Sequence, residues 1–240
     1  MSLSSMDEVR RPNADRVAAI AAGVIFIIAT AGALGSVPFL PNLTGADYLA
    51  GVAAGANQMV VGLVLLLVAA LSSAAIAVAM YPVMKRWSNG LALASVIFRA
   101  TEGVMYILAV VFLMSLLSLS HQFAGASGAD QAALQAIGDT LRGAREYAGL
   151  AGVFCFCLGA FAYYLLFFQS RLIPRWLSGF GIVAILMMFS ACLLALLSDS
   201  AITGYVFLLF PILVQEMVLA VWLIAKGFDT SALQRATSAR

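Results

Sequence analysis

The sequence predicts an all-α, polytopic membrane protein with six transmembrane helices and both termini in the cytoplasm. Three observations lead to this class. The 240-residue chain is 63% hydrophobic and only 10% charged, whereas soluble domains carry about 25% charged residues. Six apolar runs are long enough to cross about 30 Å of hydrocarbon. Basic residues are concentrated in the segments on one side of these runs, as the positive-inside rule requires.

The first two predicted spans cover residues 17–39 and 59–83. The first carries no charge between Val17 and Phe39, and Pro38 and Pro41 end it. We interpret the polar residues 1–16 before it as a mobile cytoplasmic tail or a short surface helix. The connector of residues 44–57 is predicted to form one or two helical turns at the outer interface. Ser72 and Ser73 lie near the middle of the second span, where we expect them to serve packing.

The remaining predicted spans cover residues 91–118, 148–168, 177–197 and 205–225. Residues 121–147 form the longest connection, and apolar residues recur at helical spacing in its second part. The sequence therefore predicts an extracytoplasmic amphipathic helix over residues 129–147. Residues 17–226 then constitute one transmembrane domain, and residues 227–240 form a cytoplasmic tail.

The orientation follows from the 13 Lys and Arg residues. Two lie on the side opposite to the N-terminus (Arg142 and Arg145), and Arg99 lies within a span. The other ten lie on the side of the N-terminus: Arg10, Arg11, Arg16, Lys85, Arg86, Arg171, Arg175, Lys226, Arg235 and Arg240. The positive-inside rule places both termini in the cytoplasm, and an even number of spans agrees.

The third span contains a polar stripe, namely Ser95, Arg99, Glu102 and Tyr106. Their spacing of i, i+4, i+7 and i+11 places them on one helical face. Ionisable groups at membrane depth normally face protein or a water-filled cavity. Because Glu102 lies ~16 Å beyond the start of its span and Glu216 ~15 Å before the end of the sixth, the two acids share one depth. We expect the third and sixth helices to face each other, with Arg99 between the acids.

The candidate ligand-binding site comprises five residues. One Arg neutralises one carboxylate, so the second acid is protonated or shares a proton, because two close carboxylates resist double ionisation. Pro211 is expected to kink the sixth helix beside the acids. Gln215 and Tyr106 supply further polar groups. The site residues are Arg99, Glu102, Tyr106, Gln215 and Glu216.

Five stretches together resemble a known family. They are the Tyr81-Pro82 basic turn, Phe98-Arg99-x-x-Glu102, the span from Gly152 to Tyr164, Leu172-Ile-Pro-Arg-Trp-Leu-Ser178, and the segment from Gln215 to Phe228. From Arg16 to Phe228 the chain resembles the bacterial integral-membrane family known as domain of unknown function 4386. The resemblance implies a six-helix, multi-pass protein of the bacterial inner (cytoplasmic) membrane. It implies no established activity and no catalytic residues.

Enzyme and metal signals are weak. His121 is the only histidine, which excludes a bis-His haem or a multi-His metal site within one chain. The three cysteines (Cys155, Cys157 and Cys192) sit within apolar runs and are interpreted as packing residues. No Gly-x-Ser-x-Gly motif and no glycine-rich phosphate loop occurs. We predict no cofactor, no metal site and no catalytic residue, which leaves enzymatic activity open but disfavoured.

Three function classes remain. The first is a membrane protein that binds or conducts a small ligand, solute or proton at the Arg/Glu site. The second is a non-catalytic structural or partner subunit in which the Arg/Glu cluster only fixes helix packing. The third is a lipid-modifying enzyme. The expected partners are the lipid bilayer and a small molecule or proton; a net charge of +2 is no nucleic-acid signature. Six helices are few for an alternating-access carrier, which leaves a homodimer open.

Overall fold

The computed structural model describes residues 3–198 and 200–238. Side chains are described for residues 13–198 and 200–235. The side chains of Arg10 and Arg11 and the whole of Arg240, which entered the orientation prediction, lie outside the described residues. In the two predicted tails, residues 1–2 and 239–240 and the side chains of residues 3–12 and 236–238 also lie outside the described part of the chain.

The described chain is helical throughout, with short connections. The long helices are α1 (Leu3–Ser36), α3 (Ala56–Met84), α4 (Asn89–Gly125), α5 (Ala129–Ser170), α6 (Arg175–Leu197) and α7 (Val206–Ala225). The short helix α2 (Tyr48–Ala54) lies between α1 and α3, and the short helix α8 (Thr230–Ser238) follows α7. Single 3-10 turns cover Val37–Phe39 and Ile202–Tyr205.

The prediction of an all-α protein with six transmembrane helices is confirmed. Within the described residues, six helices are long and apolar enough to cross a membrane. Together with the composition, they make the chain an integral, multi-pass membrane protein. Several helices are longer than the spans predicted for them, because the helical backbone continues into the polar residues at the ends of the apolar runs. The predicted amphipathic segment 129–147 and the fourth span are one helix, α5, and His121 lies inside α4. The second span likewise continues through Pro82 to Met84.

The helices divide into two compact units. Unit 1 comprises Met1–Ile27, Ser72–Glu102 and Val153–Arg240, and unit 2 comprises Ile28–Leu71 and Gly103–Gly152. Helices α1, α3, α4 and α5 contribute residues to both, whereas α6, α7 and α8 belong to unit 1. Unit 1 also contains Arg99, Glu102 and Glu216.

Unit 1 has an aromatic core on α5. Tyr163, Tyr164 and Phe167 are fully buried, and the centroids of the two tyrosine rings lie 4.4 Å apart. Gly181 of α6 makes room for Tyr164, since a Cβ there would lie 2.5 Å from its ring. The core continues to Phe228, whose ring centroid lies 5.9 Å from that of Phe167. Tight aromatic packing of this kind fixes the rotation of α5, and therefore the directions of its other side chains.

Polar contacts join helices α1 and α7 within unit 1. The Arg16 guanidinium donates to the carbonyls of Leu223 at 3.2 Å and Ile224 at 2.6 Å. These carbonyls belong to the last turn of α7, where no intrahelical donor remains for them. The positive charge of Arg16 also interacts favourably with the dipole of α7 at this C-terminus. Asp15, one residue earlier on α1, forms an ion pair with Arg86.

Unit 2 has an aliphatic core. Its buried residues are Tyr48, Leu49, Val52, Met59, Leu63, Val110, Leu113, Leu116 and Leu119. Small residues allow the helices to approach closely: a Cβ on Gly103 would lie 2.8 Å from the Ala70 carbonyl oxygen, and one on Gly32 would lie 2.9 Å from that of Leu65. Arg142 of α5 donates to the Leu43 carbonyl at 2.9 Å, which anchors the loop before α2.

Candidate functional site

The centre of the candidate site is an ion pair within α4. The Arg99 Nη1 atom lies 2.9 Å from the Glu102 Oε2 atom, and each side chain is only 3% exposed. The two residues are one helical turn apart, so the i, i+3 spacing brings the side chains together without help from another helix. A pair this deeply buried is stable only when further hydrogen bonds satisfy its remaining atoms. The neighbouring helices of unit 1 supply them.

Ser73 of α3 contacts both members of the pair. Its hydroxyl donates to the second carboxylate oxygen of Glu102, Oε1, at 2.9 Å. Its backbone carbonyl accepts a hydrogen bond from the Arg99 Nε atom at 3.3 Å. A serine hydroxyl and a carbonyl at one position therefore complement both a negative and a positive group. The predicted packing role of Ser73 is thus accompanied by a specific polar role.

Helix α5 covers the guanidinium from another side. The central carbon of the Arg99 guanidinium lies 4.7 Å from the centroid of the Phe156 ring, a cation–π contact. One turn further along α5, Gly159 accommodates the aliphatic stem of Arg99. A Cβ on Gly159 would lie 2.9 Å from the Arg99 Cγ atom. Only glycine at this position leaves α4 and α5 at their observed separation.

Glu216 of α7 is the second acid of the site, and its environment differs from that of Glu102. Its side chain is partly exposed. The Tyr163 hydroxyl donates to its Oε1 atom at 3.5 Å, the long limit of a hydrogen bond. The carboxylate also interacts electrostatically with Arg99. Glu216 is therefore attracted to a cation that is already paired with Glu102.

These residues form one group, which we name the Arg99 cluster: Ser73, Arg99, Glu102, Phe156, Gly159, Tyr163 and Glu216. It contains two carboxylates and one permanent cation. With both acids ionised it carries a net negative charge within a membrane-spanning region. Such a cluster can accept one positive charge, either a proton or a cationic group.

Gln215 does not join the Arg99 cluster. Its Nε2 atom donates to the Leu177 carbonyl of α6 at 3.1 Å, and its Oε1 atom accepts a hydrogen bond from the Tyr164 hydroxyl. Successive residues on an α-helix point about 100° apart, so Gln215 and Glu216 face different neighbours. Gln215 is fully buried, and its contacts link α6 to α7.

Tyr106, the last member of the predicted polar stripe, belongs to unit 2. Its ring packs over Gly152 of α5, where a Cβ would lie 2.6 Å from the ring. Ser95, at the other end of the stripe, is fully buried in unit 1. Of the five predicted site residues, the structure thus brings Arg99, Glu102 and Glu216 together in the Arg99 cluster.

Four members of the Arg99 cluster did not appear among the predicted site residues: Ser73, Phe156, Gly159 and Tyr163. Weak signals for some of them exist in the sequence. Ser73 is a polar residue near the middle of an apolar span, and Tyr163 carries a hydroxyl in another. Gly159 follows two other glycines on a face of α5 that favours close helix contact. Phe156 has no such signal, since aromatic residues are common in membrane helices.

The chemistry of the Arg99 cluster is that of oxygen and guanidinium groups. Within the described residues, no group of three or more His, Cys, Asp and Glu side chains could coordinate a metal ion. Cys157 and Cys192 are buried free thiols of unit 1. Among these groups, the one suited to exchange a proton or ligand is the partly exposed Glu216 carboxylate.

Comparison with known proteins gives one match. The model of the family described as Domain of unknown function (DUF4386) matches residues 19–227. The match covers most of the chain and confirms the resemblance found in the sequence. No curated protein and no solved structure matches the chain.

Proposed function

Because this chain belongs to the family described as Domain of unknown function (DUF4386), a description that assigns no activity, we propose a function from its buried charges. The chain is a proton-binding integral membrane protein, and the Glu216 carboxylate is the group that accepts the proton. The observation that carries this proposal is the charge inventory of the Arg99 cluster, which contains two carboxylates and a single guanidinium that is paired with Glu102. One positive charge is missing, and a proton on Glu216 supplies it.

The two acids are not equivalent, which is why the proposal selects Glu216. Glu102 is 3% exposed and receives an ion pair at 2.9 Å as well as the Ser73 hydroxyl at 2.9 Å. Glu216 receives a single hydroxyl at 3.5 Å and keeps part of its surface exposed. An ionised carboxylate at mid-membrane costs about 2.5–3.5 kcal/mol on insertion scales. Glu102 is compensated by its partners, whereas Glu216 is compensated by protonation.

The partial exposure of Glu216 also supports exchange. A group that binds and releases a proton or a solute needs contact with a medium outside the packed core. Glu102 lacks such contact, and Glu216 has it. We place this activity in the bacterial inner membrane, as the family resemblance implies, with both termini in the cytoplasm, as the distribution of basic residues predicts.

The test is infrared difference spectroscopy of the protein in lipid between acidic and alkaline pH. A protonated carboxyl group in a membrane interior gives a separate C=O stretching band. We expect Glu216→Gln to remove this band, because the amide cannot take up the proton. Glu102→Gln leaves one carboxylate for one guanidinium, so the Glu216 band should remain but appear only at lower pH than in the wild type. Gel filtration establishes that each variant is folded.

A third variant keeps the test decisive if Glu102→Gln fails to fold. Tyr163→Phe removes only the hydroxyl that donates to Glu216, so we expect the band to shift in frequency without disappearing. Persistence of the band in Glu216→Gln would refute the assignment. A band that is lost at every pH in Glu102→Gln but kept in Glu216→Gln would assign the proton to Glu102 instead.

A purely structural role is the second candidate, and one observation favours it. The Arg99–Glu102 pair is enclosed on three helices and links α3, α4 and α5. Polar groups of this kind fix helix rotation and register in membranes. This candidate predicts that the wild-type protein and Glu216→Gln in proteoliposomes bind the same number of protons between alkaline and acidic pH. The proton-binding proposal predicts that Glu216→Gln binds fewer protons.

A further inference from the structure

A cavity of about 660 Å³ lies where α5 ends and α6 begins, beside the end of α7. It belongs entirely to unit 1 and does not include any member of the Arg99 cluster. Its volume is within the range of about 300–1,000 Å³ that small-molecule sites occupy. The lining includes three basic side chains, Arg171, Arg175 and Lys226. We name it the basic cavity.

The cations of the basic cavity are available to a ligand. All three side chains are exposed. Within the described residues, neither Arg171 nor Lys226 forms an ion pair, and Arg175 makes a long 3.5 Å hydrogen bond to the Phe168 carbonyl. Asp229 also lines the cavity. Its Oδ1 atom is engaged by the Ser231 hydroxyl at 2.5 Å and the Ala232 amide at 2.7 Å.

The backbone at Arg171 adds an independent observation. Arg171 has φ = 60°, the left-handed region, directly after the end of α5. Glycine is the usual residue at such a helix end, and other residues pay about 1–2 kcal/mol there. The chain places a cation at this position despite that cost. Backbone strain of this kind is typical of sites where a side chain must occupy a particular place.

The other walls suit an anion at a membrane surface. Helix α6 begins at Arg175, and its N-cap residue Pro174 provides no side-chain hydrogen bond to the first turn. The N-terminal end of a 23-residue helix favours negative charge. Trp222 lines the cavity, and its ring centroid lies 6.4 Å from that of Trp176. Tryptophan is enriched at the level of lipid headgroups.

We infer that the basic cavity binds a phosphate group, carried either by an anionic phospholipid headgroup or by a soluble phosphate compound. Three observations support it: the exposed cations form no ion pair within the described part of the chain, the start of α6 has no side-chain cap, and a tryptophan pair lies beside the cavity. Basic pockets at the ends of membrane helices bind phosphate headgroups through the same groups. This inference is independent of the proton at Glu216.

The experiment is native mass spectrometry of the full chain in detergent, titrated with cardiolipin or phosphatidylglycerol. Arg171→Gly removes a cation and suits the left-handed backbone, so we expect the variant to remain folded, which its melting temperature verifies. Lys226→Gln removes a second cation. We expect each to weaken lipid binding about fivefold, the effect of one basic residue near a lipid phosphate. Arg235→Gln is the matched control, an exposed cation of unit 1 outside the cavity, and should leave binding unchanged.

A competition arm separates the two sources of phosphate. If millimolar inorganic phosphate displaces the lipid adducts and itself raises the thermal stability of the wild type but not of Arg171→Gly, the ligand is a soluble phosphate compound. If inorganic phosphate has no effect while the lipid adducts depend on Arg171 and Lys226, the ligand is a phospholipid headgroup. Equal binding by wild type and both cavity variants, or equal loss in Arg235→Gln, would overturn the inference.

Discussion

The two units of the molecule satisfy their buried polar groups in different ways. In unit 2 the buried serines Ser36 and Ser120 donate to carbonyls three residues earlier on their own helices, both at 2.7 Å. In unit 1 the Ser178 hydroxyl also bonds locally, to the Pro174 and Arg175 carbonyls. Ser73 and Gln215, however, bond between helices, to Glu102 and to the Leu177 carbonyl. A bond within one helix satisfies only the hydroxyl itself, whereas a bond between helices also fixes their register. We therefore look for function in unit 1.

The largest expected effect comes from removing the cation of the Arg99 cluster. Arg99→Gln leaves Glu102 buried without its ion pair, which costs about 3–5 kcal/mol of unfolding free energy. Titration with a denaturing detergent measures it. The double variant Arg99→Leu/Glu102→Leu should recover most of this loss, because apolar residues replace both charges. A loss in Arg99→Gln below about 1 kcal/mol would show that unit 1 does not depend on its polar interior.

A serine in each unit sharpens the comparison. Ser73→Ala removes a donor to a buried carboxylate and should cost about 1–3 kcal/mol. Ser120→Ala removes a bond to a carbonyl within the same helix and should cost about 0.5 kcal/mol. Both serines are buried, so burial alone predicts equal losses. Equal unfolding free energies in the two variants would refute the distinction between local and interhelical bonds.

Two glycines on α5 provide the next comparison. A Cβ on Gly159 meets the Arg99 Cγ atom at 2.9 Å and its backbone amide nitrogen at 3.1 Å, whereas a Cβ on Gly149 meets no atom within 4 Å. Gly159→Ala should therefore destabilise the protein by about 1–3 kcal/mol through overpacking. Gly149→Ala should stabilise it by about 0.5–1 kcal/mol, as alanine does within a helix. Thermal unfolding in detergent measures the change in stability of each variant. Changes of the same sign in both variants would contradict the close contact between Gly159 and Arg99.

The smallest expected effects concern pH. Hydrogen bonds from the Ser231 hydroxyl and the Ala232 amide lower the pKa of Asp229 in unit 1. The capping contribution of Asp229 to α8, about 1 kcal/mol, is therefore present above the ordinary aspartate pKa of about 3.9 and is lost as the pH falls through the lowered value. The difference in melting temperature between wild type and Asp229→Ala should narrow over that range. A difference in melting temperature that does not change with pH would exclude a stabilising role of the ionised Asp229 carboxylate as the cap of α8.

Unit 2 should respond at the opposite end of the pH scale. Burial, reinforced by the neighbouring Asp139, raises the pKa of Tyr48 to about 12. Because the phenol ionises more easily in the unfolded chain, near pH 10, stability should fall as the pH rises from about 10 to about 12. Tyr48→Phe has no ionisable group and should lose less stability over this range. An equal fall in melting temperature with rising pH in the wild type and in Tyr48→Phe would refute the role of Tyr48 in this pH dependence.

The sequence predicted the six spans from apolar runs and the common face of Arg99 and Glu102 from their spacing, and both signals lie within single helices. Arg99 and Glu102 meet because residues three apart share a face. The contacts of Ser73 and Tyr163 depend on how each helix is rotated and shifted against its neighbours, and no single-helix pattern contains that information. The same reason explains Gln215, which was predicted to add a polar group beside Glu216 although adjacent residues point about 100° apart.

The contacts of Arg16 have a consequence for biosynthesis. Its guanidinium acceptors, the carbonyls of Leu223 and Ile224, lie more than 200 residues later in the chain. Helices enter the membrane in the order in which the ribosome makes them. The first span is therefore inserted long before the last one, and until then Arg16 lacks these acceptors. Completion of unit 1 is therefore a late event of synthesis. Chains that stop before Leu223 should be recognised by quality-control proteases as unassembled.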